Sequence, residues 1–271
     1  MRGLTVKRAA PISIIGQSIV HLNQPALSIL TGAHKVKVEV NSGVGVDIHG
    51  FEWLSAYAKS KITKFLGEEE SRIKVEVEKP LPLLDPLIVA LDLLAKSKMS
   101  SDPLREMSKA LNISEERLKL TLRAASKRGV LAYREGEGIL EILPEFPWHI
   151  ALCFKAPLRF RLTAGEDLEE AFNVITHGLG RLVVSTARSI LDGDFSRFKR
   201  FIETYSKLAT SISNTRSNML SALKKLGSIK GCACKLDEDF KGLLLFGVEG
   251  EALEEGLSLA KKMGFKTLML M

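Results

Sequence analysis

The hydrophobic and polar positions of this chain repeat with two different periods, which predict strands and helices in alternation. Residues 35–40 and 73–77 alternate with a period of two, which is typical of strands. Residues 51–66 place their apolar side chains on one face at helical spacing, and Gly67 suits the position after a helix. Further strands are predicted at residues 12–15, 130–134 and 138–143, and further helices at residues 86–95, 103–111 and 115–127. The first half therefore mixes strands with helices.

Two prolines, Pro144 and Pro147, mark the best internal boundary, so the sequence predicts two domains, residues 1–147 and 148–271. After the boundary we predict a strand at 149–154, helices at 167–191 and 195–212, and a shorter helix through Leu223. Strands at 227–233 and 242–248, a helix at 251–263 and a strand at 266–271 complete the chain. This β-α-α-β-β-α-β order is like that of a ferredoxin fold. The predicted fold class is α/β (α+β), with two packed sandwiches.

Four short segments resemble motifs of the GHMP kinase superfamily, which includes the galactokinases and the homoserine, mevalonate and phosphomevalonate kinases. Residues 10–16 (Ala-Pro-Ile-Ser-Ile-Ile-Gly) and 24–28 (Gln-Pro-Ala-Leu-Ser) are similar to its Ala-Pro-Gly-Arg…Ile-Gly opening and its Pro-Ala-Leu strand. Residues 191–195 with Phe198 resemble its Gly-Asp step, and the final βαβ unit from Ile229 resembles its third motif region. The resemblance implies an N-terminal half like ribosomal S5 domain 2 and a ferredoxin-like C-terminal half.

The segment KPLPLLDPLIVALDLL, residues 79–94, stands where the superfamily has its Pro-x-x-x-Gly-Leu-Gly-Ser-Ser phosphate loop, and it contains no glycine. A helix start binds phosphate through free backbone N–H groups and the positive end of the helix dipole. Pro80, Pro82 and Pro86 each lack an N–H. Asp85, the predicted N-cap, puts a carboxylate where the anion would lie. The sequence predicts a degenerate phosphate loop, argues against ATP as the cofactor, and indicates no other cofactor.

The third motif region is Lys-Gly-Cys-Ala-Cys-Lys, residues 230–235, with one glycine. Its two lysines could hold a small phosphate as point charges, or they could be surface lysines at the edge of a strand. The candidate ligand-binding residues are Ser13, Gln17, Lys230, Gly231 and Lys235. Ser13 stands at the arginine of the first motif, and no aspartate base can be assigned, so the catalytic residues are unknown.

These observations predict a pseudo-kinase that binds a small anionic metabolite or serves as a non-kinase partner in a complex. One alternative is a transferase like β-ribofuranosylaminobenzene 5′-phosphate synthase, an archaeal pterin-pathway enzyme of the same superfamily, or a small-metabolite kinase. That branch also keeps a glycine-rich phosphate turn, so the same objection applies to it.

Residues 84–143 also have the pattern of a winged helix-turn-helix, with three helices followed by a two-stranded wing. Ten basic and four acidic residues lie between positions 96 and 134. The basic side chains expected to face outward on the second helix of the motif are Arg117, Lys119, Arg123 and Lys127. Against nucleic-acid binding, Glu115 and Glu116 open that helix and would repel phosphate. An ordinary solvated helix face is the competing interpretation.

Composition limits the class of protein and its partners. The 271 residues are 45% hydrophobic and 26% charged, with a net charge of +7, which is typical of a soluble globular protein. No apolar run approaches the roughly 20 residues that span a membrane, so no membrane partner is expected. The partners left open are a small anion, nucleic acid and a second copy of the chain.

The three cysteines provide no disulfide framework and fit a reducing cytoplasm. Cys232 and Cys234 lack the second pair that a structural zinc site needs, so no metal is predicted and all three thiols are expected in the core. Only two glutamines accompany many lysines, arginines and glutamates, a bias compatible with a thermophilic source.

Overall fold

The computed structural model describes residues 4–9, 11–16, 26–30, 35–42, 45–49, 71–77, 84–97, 102–111, 115–127, 129–134, 138–155, 166–212, 217–237 and 242–270. The strands are β1 (Leu4–Ala9), β2 (Ile12–Ile15), β3 (Ala26–Leu30), β4 (Lys35–Ser42), β5 (Gly45–His49), β6 (Ser71–Val77), β7 (Gly129–Arg134), β8 (Gly138–Leu143), β9 (His149–Phe154), β10 (Cys232–Leu236), β11 (Leu243–Gly247) and β12 (Lys266–Met269). The helices are α1 (Leu84–Ser97), α2 (Pro103–Leu111), α3 (Glu115–Ala124), α4 (Glu166–Leu191), α5 (Phe195–Ile212), α6 (Ser217–Gly227) and α7 (Gly250–Lys262). The predicted helix at 51–66 lies outside these residues.

The described residues of the N-terminal half form two sheets with three helices packed beside them. Sheet A has the order β1-β4-β6-β5, in which β5 runs parallel to β6, and sheet B has the order β2-β3-β7-β8 with all neighbours antiparallel. Helix α1 contacts β1 and β4 of sheet A, whereas α3 contacts β3 of sheet B. Since α1, α2 and α3 also contact one another, the start of α1 lies close to both α3 and sheet B.

The C-terminal half is one antiparallel sheet, sheet C, covered by helices on both faces. Its strand order is β10-β11-β9-β12, which is the ferredoxin-like half that the element order predicts. Alternate residues of each strand point to opposite faces, so Ala233 and Phe246 join one hydrophobic core while Cys232 and Cys234 join another. The mixed α/β fold class with these two halves is confirmed.

One hydrophobic core extends across the predicted boundary at residue 147. It contains Ile12 and Leu27 of sheet B together with Leu152 and Phe246 of sheet C. Five aromatic rings pack in this core with neighbouring centroids 4.6–6.1 Å apart: Phe146, Trp148, Phe195, Phe198 and Phe246. Phe146 and Trp148, on either side of Pro147, are therefore packed in the core, although the division into residues 1–147 and 148–271 stays a prediction.

One predicted element is misplaced. The sequence predicts a strand at 227–233, but α6 continues to Gly227 and β10 begins only at Cys232. Ala222 and Leu226 are both buried at helical spacing, so the apolar face of α6 extends one turn beyond the predicted end. Among the described helices, none combines the length and the apolar character needed to cross a membrane.

Candidate functional site

The carboxylate of Asp85 lies at the start of α1 and is almost completely buried, with 2% of the residue exposed. Helix α1 begins at Leu84, so Asp85 lies inside the first turn of the helix and is not the N-cap that the sequence predicted. Its Oδ1 is 2.8 Å from Nη1 of Arg117 and accepts a hydrogen bond of 2.6 Å from the hydroxyl of Thr121. Its Oδ2 accepts a hydrogen bond of 2.7 Å from Ser13. We call these four residues the Asp85 cluster.

Three separate elements bring the Asp85 cluster together. Strand β2 carries Ser13, α1 carries Asp85, and α3 carries Arg117 and Thr121 one helical turn apart. The guanidinium of Arg117 donates to Thr121 Oγ1 at 2.5 Å and to Ser13 Oγ at 3.1 Å. The charges of Asp85 and Arg117 balance, and every member bonds to at least two others. The cluster therefore satisfies its buried charges internally.

This arrangement changes what the start of α1 can bind. A helix N-terminus attracts anions because its dipole and its first N–H groups present positive charge. Here a carboxylate from the first turn of the same helix lies there and already has a cationic partner 2.8 Å away. A second anion at this position would share Arg117 with Asp85, so the cluster would carry a net negative charge, which is costly where water is excluded.

The prediction that Arg117 faces outward is wrong, because only 5% of this residue is exposed. Helical spacing places Arg117 on one face with Thr121 and Ala124, which are buried too. The helical spacing of these three residues could have indicated that Arg117 is buried. Because arginine is charged, it was assigned to the exposed face. Arg117 and Thr121 are thus the members of the cluster that sequence reasoning did not identify as such.

The other basic residues of the predicted helix at 115–127 do reach the surface. Lys119, with 36% of its side chain exposed, lies 3.9 Å from both Glu115 and Glu116. Lys127 is exposed, and Arg123, also exposed, lies 5.9 Å from the ring centre of Tyr133. Strand β7 pairs with β3 as well as with β8, so the predicted wing is part of sheet B. The winged-helix pattern thus arises from helices and strands packed into the larger domain.

The remaining candidate ligand residues separate into two places. Lys235 is 1% exposed; its Nζ donates to the carbonyl of Ile14 at 2.5 Å and lies 5.4 Å from the ring centre of Tyr205. The prediction of a surface lysine is therefore wrong for Lys235. Lys230 is exposed on the turn between α6 and β10.

Gly231 follows in the same turn with φ +75°, and an added Cβ would meet Val248 Cγ1 and Ala252 Cβ at 3.1 Å. Its carbonyl accepts the N–H of Val248 at 2.9 Å. These contacts give Gly231 a packing role against the start of α7. Gln17, Pro80 and Pro82 lie outside the described residues.

The three cysteines are buried, which confirms the expectation that they belong to the core. Burial raises the pKa of Cys153 to about 12 and that of Cys232 to about 11, and it holds the pKa of Cys234 well above the usual thiol range. The thiols therefore stay protonated at neutral pH. Within the part of the chain that the structure describes, no three His, Cys, Asp or Glu side chains are grouped so that they could hold a metal ion.

Solved structures share this arrangement of strands and helices over nearly the whole chain. L. major mevalonate kinase in complex with R-mevalonate superposes with a TM-score of 0.67 at 12% identity, over 98% of this chain and 94% of that one. The Lin0012 protein from Listeria innocua gives 0.68 at 12% identity, covering 98% and 97%. Streptococcus pneumoniae phosphomevalonate kinase gives 0.65 at 10% identity, covering 99% of both chains. The fold is that of the GHMP kinases.

At these identities the GHMP kinase likeness establishes the fold and leaves the activity open. A scan against protein-family models and a search of the curated proteins gave no match to this sequence. Within this fold, the Asp85 cluster at the start of α1 is the candidate site of this chain.

Proposed function

We propose that this chain is a non-kinase protein of the GHMP kinase fold that binds a small anionic metabolite. The observation that carries the proposal is the buried carboxylate of Asp85, paired with Arg117 in the first turn of α1. Phosphoryl transfer depends almost entirely on positioning the triphosphate and stabilising its charge. A carboxylate at this helix start works against both requirements. A small-metabolite kinase or a phosphoribosyl transferase would need a phosphate-binding turn as well, so the same carboxylate argues against these alternatives.

Two features support an anionic ligand. The net charge of +7 raises the local concentration of anions around the protein. Ser13 is the half-buried member of the Asp85 cluster and is bonded to both Arg117 and Asp85, so an anion that reaches the cluster from the surface would meet this hydroxyl first. We place the protein in the cytoplasm, where its three thiols stay reduced.

Isothermal titration and thermal unfolding with MgATP test the non-kinase part directly. A ligand with a Kd of about 10 μM would stabilise the protein by about 2.7 kcal/mol at about 1 mM, so binding of that strength cannot escape detection. We expect no heat of binding and no shift in Tm with MgATP. Binding in the micromolar range would refute the proposal.

Orthophosphate and citrate, compared with potassium chloride at equal ionic strength, test the anion part. We expect at least one of the two anions to raise Tm beyond the chloride control, and Ser13→Ala to reduce that effect. Lys224→Ala, which removes an exposed lysine from the last turn of α6, is the matched control and should leave the effect unchanged. Equal Tm values in all three salts would contradict the assignment of an anionic ligand.

A further inference from the structure

Strand β2 contains a β-bulge next to the Asp85 cluster. Ser13 pairs with Ser28 of β3 and Ile15 pairs with Leu27, so Ile14 is the extra residue between the two pairs. A bulge resets the alternation of side chains along a strand. Ile14 and Ile15 are consequently both buried in the same hydrophobic core, whereas Ser13 points to the other face of sheet B, toward Asp85.

Two side chains from the C-terminal half hold the backbone at this bulge and two residues after it. The ammonium of Lys235 donates to the carbonyl of Ile14 at 2.5 Å, and the hydroxyl of Tyr205 accepts the N–H of Gly16 at 3.1 Å. Both side chains are buried, and the ammonium lies 5.4 Å from the centre of the tyrosine ring. We call these two contacts the bulge clamp.

The bulge clamp supplies hydrogen-bond partners to backbone groups of the bulged strand. The extra residue of a bulge loses its place in the strand ladder, and a buried carbonyl is costly unless a donor reaches it. Without the bulge, Ser13 and Ile15 would be alternate residues on the same face of the strand, so either Ile15 would turn to the face that carries the charged cluster or Ser13 would turn into the core. The hydrogen bond from Lys235 to the carbonyl of Ile14 therefore favours the one register in which Ile14 and Ile15 enter the core and Ser13 faces Asp85.

We propose that Lys235 and Tyr205 are positioning residues that set the geometry of the Asp85 cluster through the β2 bulge. The C-terminal half thereby controls a cluster whose four members all belong to the N-terminal half. The clamp touches Ile14 and Gly16 directly and acts on Ser13 through the strand register. The inference depends only on the Asp85 cluster and holds whatever ligand the protein binds. MgATP binding would therefore refute the proposed function and leave this inference unchanged.

Hydrogen exchange of Lys235→Met tests the coupling. We expect the amides of β2 and of the first turns of α1 to exchange at least about tenfold faster than in the wild type, because local opening of the bulge would free Ser13 and Asp85. Lys235→Arg keeps a cation within reach of Ile14 and should largely restore slow exchange in α1. Unchanged exchange in α1 despite faster exchange in β10 would overturn the proposal.

Lys199→Met is the matched control, because Lys199 also donates its ammonium to backbone carbonyls, those of Gly227, Ile229 and Cys232. All three acceptors lie in the C-terminal half, away from the bulge. We expect faster exchange around the end of α6 and the start of β10, with α1 unaffected. An equal response of α1 to both substitutions would mean that Lys235 supports general stability only.

A double-mutant cycle distinguishes positioning from plain stabilisation. The unfolding equilibrium constants of Lys235→Met, Ser13→Ala and the double variant should depart from additivity by at least about threefold, whereas Lys199→Met with Ser13→Ala should be additive within about twofold. Should Lys235→Met fail to fold, Tyr205→Phe, which removes only the hydroxyl that receives the Gly16 N–H, replaces it in the cycle. Additivity of the clamp variant with Ser13→Ala would refute the inference.

Discussion

Asp85 and Arg117 are both buried, and each supplies the counter-charge that the other needs. Taking two ions out of water costs several kcal/mol per ion, and mutual attraction with added hydrogen bonds roughly offsets this cost. A buried pair therefore contributes more to a defined arrangement than to net stability. Removing one partner is far more harmful, because it leaves an unpaired charge in the interior.

Arg117→Met should consequently lower the free energy of unfolding by about 3–5 kcal/mol, because the carboxylate of Asp85 loses its cation. Lys119→Met, two positions along the same helix, removes a cation whose carboxylate partners lie 3.9 Å away at the surface. Its effect should be below about 1 kcal/mol. Urea unfolding of the two variants beside the wild type measures both values, and similar losses for both would contradict the buried pairing.

At the scale of single elements, the hairpin of β7 and β8 depends on the glycine that begins β7. Gly129 has φ +74°, and an added Cβ would lie 1.9 Å from the carbonyl oxygen of Leu143 and 2.5 Å from the backbone of Pro144. Gly193, between α4 and α5, has φ +66° but has nothing within 4 Å of such a Cβ. The two glycines share the left-handed conformation and differ only in the space around them.

Gly193→Ala should cost about 1–2 kcal/mol, the strain of a left-handed alanine. Gly129→Ala adds a collision between two segments of backbone, so it should destabilise the protein by at least about twice as much. Circular dichroism during urea unfolding gives both values. If Gly129→Ala were no worse than Gly193→Ala, the close approach of β7 to the end of β8 would be disproved.

At the scale of the whole molecule, the cysteines couple stability to alkaline pH. Desolvation in the core of sheet C raises the pKa of Cys153 from 9.0 to about 12 and that of Cys232 from 9.0 to about 11. The folded state therefore binds these protons more tightly than the unfolded chain does. The resulting stability is complete below pH 9 and is lost as the pH rises from 9 toward 11 or 12.

Cys153→Ala should show this effect as a change of slope. Above pH 9 the wild type should lose up to about 1.4 kcal/mol more per pH unit than the variant, because only the wild type must keep this thiol protonated to stay folded. Lysines and tyrosines titrate in both proteins and cancel in the difference. Parallel curves of unfolding free energy against pH would show that the thiol is not desolvated.

Much of the fold could be predicted because its signals are local. Helix α5, with its bounds at Phe195 and Ile212, was predicted correctly, since Asp192, Gly193 and Asp194 separate it from α4 and its apolar period is regular. The end of α6 was not predicted, because the helix was ended at Leu223 although its apolar period continues to the buried Leu226. The candidate site could be predicted only in part: Ser13 and Asp85 were singled out as separate features, without their contact.

The sequence by itself determined most of the strands and helices and the carboxylate at the start of α1, because each depends on neighbours a few residues away. Only the tertiary structure decided what those groups touch. Arg117 reaches Ser13 across 104 positions, and Lys235 reaches Ile14 across 221. Such contacts follow from how sheets and helices stack, and the same basic residue is a surface charge or a buried partner according to that stacking. The local pattern of apolar and polar residues does not show which distant group neutralises a buried charge.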